Sequence, residues 1–303
     1  MSSLQHHKFL SRSSPGHGFH HHRVIPIRYA TSITTITCTL IKDNPNSNQL
    51  VSQPQCVSRA PPVIPLTAND PGLKSTWSHR GWVATGCATV LFSLAKAAVG
   101  AASVHIWLEP VLAGYMGYIL ADLGSGVYHW GIDNYGDALT PGFGSQIEAF
   151  QGHHKWPWTI TRREFANNLH SLARVVAFSV LPVELVCSDP VVLGFVGMFS
   201  GCIMFSQQFH AWAHSTKSKL PAAVVALQDA GVLVSRGQHA DHHRPPYNNN
   251  YCIVSGIWND LLDRNKVFEV LEMVVYFKLG VKPRSWSDPN SAWTGDEDAE
   301  ITI

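Results

Sequence analysis

Four apolar runs in which charge almost disappears constrain this chain more than any other feature. From Trp82 to Val104 the only charged side chain is Lys96, and from Pro110 to Trp130 it is Asp122. Each run is about the 20 residues that an α-helix needs to cross the hydrocarbon core of a bilayer. Leu172 to Cys187 is apolar apart from Arg174 and Glu184, Asp189-Pro190 interrupts it, and Val191 to Phe209 is free of charge. The third run is the weakest. With 45% hydrophobic and 14% charged residues over 303 positions, the chain has little of the charge that covers a soluble surface. No internal repeat or alternating strand pattern stands out. The expected fold is an all-α membrane protein with about four transmembrane helices. A soluble helical bundle is the competing reading, because three of the runs hold internal charge.

The connectors set the expected topology. Residues 105–109 hold Glu109 and no Lys or Arg, and the break at 188–189 holds only Asp189. Lys74, Arg80, Lys155, Arg162, Arg163, Lys217, Lys219, Arg236, Arg244, Arg264 and Lys266 then fall on the opposite face. A positive-inside bias of this kind predicts two hairpins whose ends share one side of the membrane. Pro221–Val234 and Val267–Leu279 are shorter and amphipathic, as interfacial helices are. Residues 1–60 have no Asp or Glu before Asp43 and are rich in Ser, Thr, His and Pro, which resembles a cleaved, disordered organelle transit peptide. The remaining divisions are a linker at 61–81, a membrane domain at 82–285 and an acidic disordered tail at 286–303. The six cysteines form no C-x-x-C pair, so neither a zinc ribbon nor a disulfide framework is indicated. No nucleic-acid partner is expected.

Histidines gather at the edges of these runs: His153 and His154, then His210 and His214, then His239, His242 and His243, with His129 ahead of them. Neutral imidazole is the commonest side-chain ligand of transition metals, and eight exceed the donors of one structural zinc, so two ions are expected. On a helix, His210 and His214 share a face, and His239, His242 and His243 lie on one stripe. Adjacent imidazoles at His153 and His154 point about a quarter-turn apart and suit two different ions. All these positions fall on the same side of the predicted membrane. Asp122 and Asp133 lie on a helical stripe with Gly126 and His129, and Gly124 and Gly126 would admit a close neighbour. Asp122 reads either as a packing hydrogen bond or as a ligand or ligand support, and Asp133 as a possible helper. His170 is a further possible ligand or support, with a surface role as the alternative. Trp156 and Trp158 read as an interfacial aromatic belt. His6, His7 and His20 to His22 lie in the polar leader and read as compositional bias. There is no H-E-x-x-H, no E-x-x-H pair and no thiolate set, and imidazole spacing alone leaves iron, zinc and copper open.

Taken together, Gly126-Val127-Tyr128-His129-Trp130-Gly131, Gln151-Gly152-His153-His154, the H-x-x-x-H at 210–214 and the H-x-x-H-H at 239–243 resemble the membrane fatty-acyl desaturases. More narrowly, the chain is similar to the group of the plasmanylethanolamine desaturases and the plant plastid enzymes that make a trans-3 double bond in palmitoyl-phosphatidylglycerol. The stretches Phe150 to Trp158 and Arg162 to Asn168 look most like the plant branch. The resemblance implies two iron ions held by His129, His153, His154, His210, His214, His239, His242 and His243, with O2 as co-substrate. Taking hydrogen from an unactivated methylene requires a metal that can reduce O2, which zinc cannot do. It also implies a phosphatidylglycerol substrate, an external donor such as ferredoxin, since no haem-binding His-Pro-Gly-Gly module is present, and a chloroplast membrane with the metal site on the stromal side. No catalytic residue is expected beyond the metal site. The same clusters would serve a di-iron lipid hydroxylase. A non-enzymatic metal-binding or transport protein is the rival from another class, although transporters bring polar groups to the bilayer midplane rather than to one edge.

Overall fold

Thr76 opens the first long helix. Its hydroxyl accepts the His79 N–H while His79 Nδ1 accepts the Thr76 N–H, which satisfies two otherwise orphaned donors. Helix α1 then runs Trp77–Val104 and ends on the left-handed His105. The computed structural model describes residues 70–286, and no strand occurs among them. Helix α2 follows at Leu108–Asn134, then α3 at Gly144–Lys155, the single turn α4 at Thr159–Arg162, and α5 at Phe165–Val186. Asp189-Pro190, an interruption in the sequence, is a helix start: the Asp189 carboxylate accepts the N–H groups of Val191 and Val192, and proline takes the first position, where its missing N–H costs nothing. Helix α6 extends from there over Pro190–Ala213, followed by α7 at Ala222–Asp229, α8 at Arg236–His242, α9 at Asn259–Arg264 and α10 at Val267–Leu279.

The long helices exchange partners. The links at 105–107 and 187–189 are short, and they lie at the same end: a side chain at Gly100 would touch Pro190, and one at Gly194 would stand 2.9 Å from the Pro110 carbonyl oxygen. Yet α1 packs along α5 and α6 while α2 packs along α6, and α1 and α2 barely meet. The first hairpin expected from sequence is therefore a connection and not a packed pair, whereas α5 and α6 of the second do pack together. Val83, Val90, Leu169, Ala173, Val176, Val180 and Met204 form the core of the α1–α5–α6 group. Lys96, the one charge in the first apolar run, donates to the carbonyls of Glu184 and Cys187 at 2.6 and 2.9 Å. It thereby caps the C-terminal end of α5, where unsatisfied carbonyls attract a cation.

Three segments are long and apolar enough to cross a membrane: Pro71–Val104, Phe165–Val186 and Pro190–Ala213. Of the four expected runs, three qualify. The weakest run qualifies, as α5. Helix α2 does not, because glycines, tyrosines and Asp122 dilute its hydropathy and its stripe of Asp122, Ser125, His129 and Asp133 is buried. The apolar face of α10 (Val270, Met273, Val274, Phe277) is exposed at helical spacing, the pattern of a helix lying in an interface. The packed region also starts before the expected boundary at 82. Leu73 is buried, Glu164 N–H donates to its carbonyl at 2.9 Å, and Asn167 Nδ2 donates to the carbonyls of Gly72 and Lys74. The expectations for residues 1–60 and for the tail beyond Trp286 fall outside the described residues.

The α2–α6 seam depends on Gly117, where a Cβ would stand 2.7 Å from the Phe195 carbonyl oxygen and 3.1 Å from the Phe199 nitrogen. Backbone on both sides leaves nothing flexible to yield. Gly117→Ala is therefore expected to cost about 1–3 kcal/mol and to lower the melting temperature in detergent. An unchanged melting temperature would show that the two helices are not in fixed contact there.

Candidate metal centre

Four helices aim their C-terminal ends at one place. His129 and Asp133 sit one turn apart near the end of α2, His153 and His154 in the last turn of α3, His210 in the last turn of α6 with His214 as its cap, and His239 and His242 in the last turn of α8 with His243 as its cap. Helix α8 starts where Ser235 accepts the Gln238 N–H and stops before Arg244-Pro245-Pro246. The carbonyl ends of helices carry partial negative charge, so this convergence favours a cation before any side chain is counted.

The side chains form two groups whose donor atoms lie within 4.8 Å of one another. The first is His153, His210, His214, His239 and His243; the second is His129, Asp133, His154 and His242. Neighbours in sequence are divided: His153 faces one group and His154 the other, and α8 sends His239 and His243 to the first and His242 to the second. In the first group Nε2 of His153 lies 3.1 Å from that of His210 and 2.8 Å from that of His214, and Nε2 of His239 lies 2.7 Å from that of His214. In the second, one oxygen, Asp133 Oδ2, meets Nε2 of His154 at 3.0 Å, of His129 at 3.2 Å and of His242 at 3.4 Å.

These contacts fit a metal and little else. Burial, and secondarily the neighbouring imidazoles, push His153 and His239 well below the usual histidine range, His214 down to about 3 and His242 to about 4. They are neutral at pH 7, the form that ligates. A neutral imidazole has a single N–H to give, and Asp133 Oδ1 and the Nδ1 atoms of His153, His210 and His239 are buried without hydrogen-bond partners. A metal ion among the Nε2 and carboxylate donors would satisfy them together. Two nitrogens about 2.1 Å from one ion stand about 3.0 Å apart at a right angle and about 3.4 Å apart in a tetrahedron. The observed 2.7–3.1 Å matches the right-angle case, and five imidazoles exceed a tetrahedral shell.

The surrounding shell fixes the imidazole tautomers. His129 Nδ1–H donates to the Tyr251 carbonyl at 2.9 Å and His242 Nδ1–H to the Asn249 carbonyl at 2.6 Å, leaving both Nε2 lone pairs free for an ion. Asp122 works at one remove. It belongs to neither group; its Oδ1 accepts the N–H groups of Val254, Ser255 and Gly256 at 2.8–3.0 Å and its Oδ2 that of Trp258 at 3.4 Å. Ser125 accepts the Ile253 N–H, and Gly126 leaves the space that the Cys252 side chain fills. The glycine expected to admit a helix thus admits this loop. His170 also stands outside both groups: it donates to the Asn167 carbonyl at 2.8 Å and stacks on His79 at 3.9 Å. The sequence reading missed Tyr251 and Asn249, which act through backbone carbonyls and leave no side-chain signature.

Asp133→Asn is expected to lower bound metal from about two ions per chain to about one, read by elemental analysis of the purified protein. Retention of both ions would show that the carboxylate is not needed to hold them. Asp122→Ala should weaken metal binding by about 10–100-fold although it touches no ligand, because the loop carrying the Tyr251 carbonyl loses its anchor. Full affinity in that variant would separate the loop from the centre.

The profile of the lipid desaturase domain matches residues 118–286, a span that includes all eight histidines. The chain is 70% identical over 227 residues to fatty acid desaturase 4, chloroplastic, of Arabidopsis thaliana, covering 75% of this chain and 70% of that protein. It is 53% identical over 279 residues to fatty acid desaturase 4-like 1, chloroplastic, of the same plant, covering 91% and 93%. Plasmanylethanolamine desaturase of Myxococcus xanthus is 32% identical over 179 residues, covering 56% of this chain and 61% of that protein. No solved structure matches the chain. The agreement of profile, relatives and a histidine-lined centre beside apolar helices sets aside the non-enzymatic reading: the chain belongs to the lipid desaturase family and is an oxidoreductase of that kind.

Proposed function

We propose that the protein is an O2-dependent di-iron desaturase of the plastid membrane that introduces a trans-3 double bond into palmitoyl chains of phosphatidylglycerol. In this reading His153, His210, His214, His239 and His243 hold one iron, and His129, His154, His242 and Asp133 hold the other. The observation that carries it is the pair of donor groups packed side by side at the ends of long apolar helices. Bound there, the two ions supply the O2 reduction that removes hydrogen from an unactivated methylene.

The chain's own residues prepare the place. Asp133 is the one carboxylate in the two donor groups, so a single anionic ligand would offset the charge of the ions and leave them electron-poor. The Phe150 ring packs against His129 and His210 with centroids 5.2 and 5.9 Å away and keeps bulk water from that side. Beside His153 and His210 opens a cavity of about 310 Å³ whose walls include Tyr128, Phe150, Ile160 and Leu172. Tyr128 is held by its hydrogen bond to Gln146. A centre at helix ends suits a bond close to the ester, because the third carbon of a membrane lipid lies near the headgroup whereas a mid-chain carbon lies near the midplane. The chloroplastic relatives and the basic residues near the helix ends on the histidine side favour a stromal orientation. The two electrons come from a separate donor, for which a plastid offers ferredoxin.

Expression in a host that lacks the product, followed by lipid mass spectrometry, tests the reading. The expected product is a phosphatidylglycerol whose palmitoyl chain is lighter by two hydrogens, and His242→Ala should abolish it. A chain heavier by one oxygen would assign hydroxylation to the same centre, and an unchanged lipid profile with an iron-loaded protein would overturn the catalytic proposal.

A further inference from the structure

Arg163 lies on the wall of the cavity that exposes His153 and His210, and it is half-buried. Among the described residues its guanidinium has no ion pair and no hydrogen bond. The adjacent acid does not compensate it: Glu164 is turned away, 3.3 Å from Lys74 Nζ and accepting the Ser75 N–H at 2.7 Å. Among the described residues no Asp or Glu contributes to the cavity wall. Burial pulls the guanidinium's pKa below its ordinary value and no anion offsets that cost. A guanidinium stays charged regardless, and a charge kept away from water without a counter-ion is expensive. Beside it, Gln207 presents a carboxamide whose side chain likewise makes no hydrogen bond among the described residues.

We propose that Arg163 is the headgroup-recognition residue, binding the phosphodiester of the substrate lipid in a two-pronged contact while the cavity's histidine wall faces the start of the acyl chain. The inference rests on the desaturase reading and adds the residue that sets register. Phosphorus and the third carbon of an acyl chain on the adjacent glycerol carbon are about seven bonds apart, roughly 9 Å when extended. A cavity of about 310 Å³ is of that order across, so one lipid can place its phosphate on Arg163 and its third carbon at the histidines. Fixing one end of a flexible substrate by an Arg fork determines which methylene reaches the centre. Arg163 is thus a specificity residue and no metal ligand.

The test measures binding to the full-length, iron-loaded protein in detergent. The probes are dihexanoyl-phosphatidylglycerol, dihexanoylglycerol (the same chains without phosphate) and inorganic phosphate. Wild type should bind the phospholipid at least about tenfold more tightly than the neutral lipid, and Arg163→Gln should erase that margin while affinity for dihexanoylglycerol, iron content and melting temperature stay as they were. Arg163→Lys, a point charge without the fork, should retain part of the margin. A wild type that does not prefer the phospholipid overturns the proposal, whatever the variants do. So does an Arg163→Gln protein that keeps the preference, or inorganic phosphate that binds as tightly as the lipid and depends equally on Arg163. Loss of the margin in a protein that leaves phosphatidylglycerol saturated would keep this inference and sink the desaturase reading. Wild-type desaturation by Arg163→Gln would do the reverse.

Discussion

A carboxylate buried among three imidazoles is the constraint on which the rest of the structure depends. Asp133 is fully buried, and three imidazole nitrogens converge on one of its oxygens while the other has no hydrogen bond. A buried carboxylate with one unpartnered oxygen is costly, and cations among these donors would offset that cost. Folding the apolar helices therefore creates a demand for metal, and the positions of the helix ends determine where it is met. The five-imidazole group alongside makes the same demand without a carboxylate.

Helix α2 links this centre to the scaffold. Its C-terminal half carries the ligand-bearing residues, and one turn and two turns earlier Ser125 and Asp122 receive the backbone of the 253–258 loop. That loop returns the Tyr251 carbonyl to His129, so a single helix positions a histidine both directly and through residues far along the chain. Tyr251 packs its ring against His129 and His242, and its hydroxyl joins Asn134 to the Tyr247 carbonyl. Glu272 on α10 then ties Trp130, Ser285 and Trp286 together, which fixes the end of α2 from the outer side. A helix with so many polar obligations cannot show an apolar face all round, and this is why α2 departs from the composition of a simple membrane span.

The position of the centre and the nature of its surroundings serve the same chemistry. Desaturation of a lipid is served by a site shielded from water with a substrate presented from lipid. Helix ends at the edge of an apolar bundle provide both, since α1, α5 and α6 are apolar along their length and their histidine-bearing neighbours close the rim. The cavity that borders His153 and His210 mixes aromatic, amide and guanidinium walls, as suits an amphipathic lipid.

Much of this was legible in the sequence because it depends on local rules. Apolar runs of span length predict helices, and histidines three and four apart share a face whatever the fold. The division of His153 from His154 follows from the angle between adjacent residues on a helix. What the sequence could not decide was anything requiring two distant segments to meet. Asp122 and Asp133 both lie on one buried stripe of one helix, and only the fold distinguishes them: a returning loop presents its N–H groups to Asp122, while His154 and His242 arrive at Asp133. The exchange of partners that sets α1 against α5 and α6 and the backbone carbonyls that orient His129 and His242 are likewise tertiary outcomes. Periodicity and composition determine which face of a helix is apolar; which neighbour covers that face depends on packing along the entire chain, and it was there that Asp133 became a partner of three histidines.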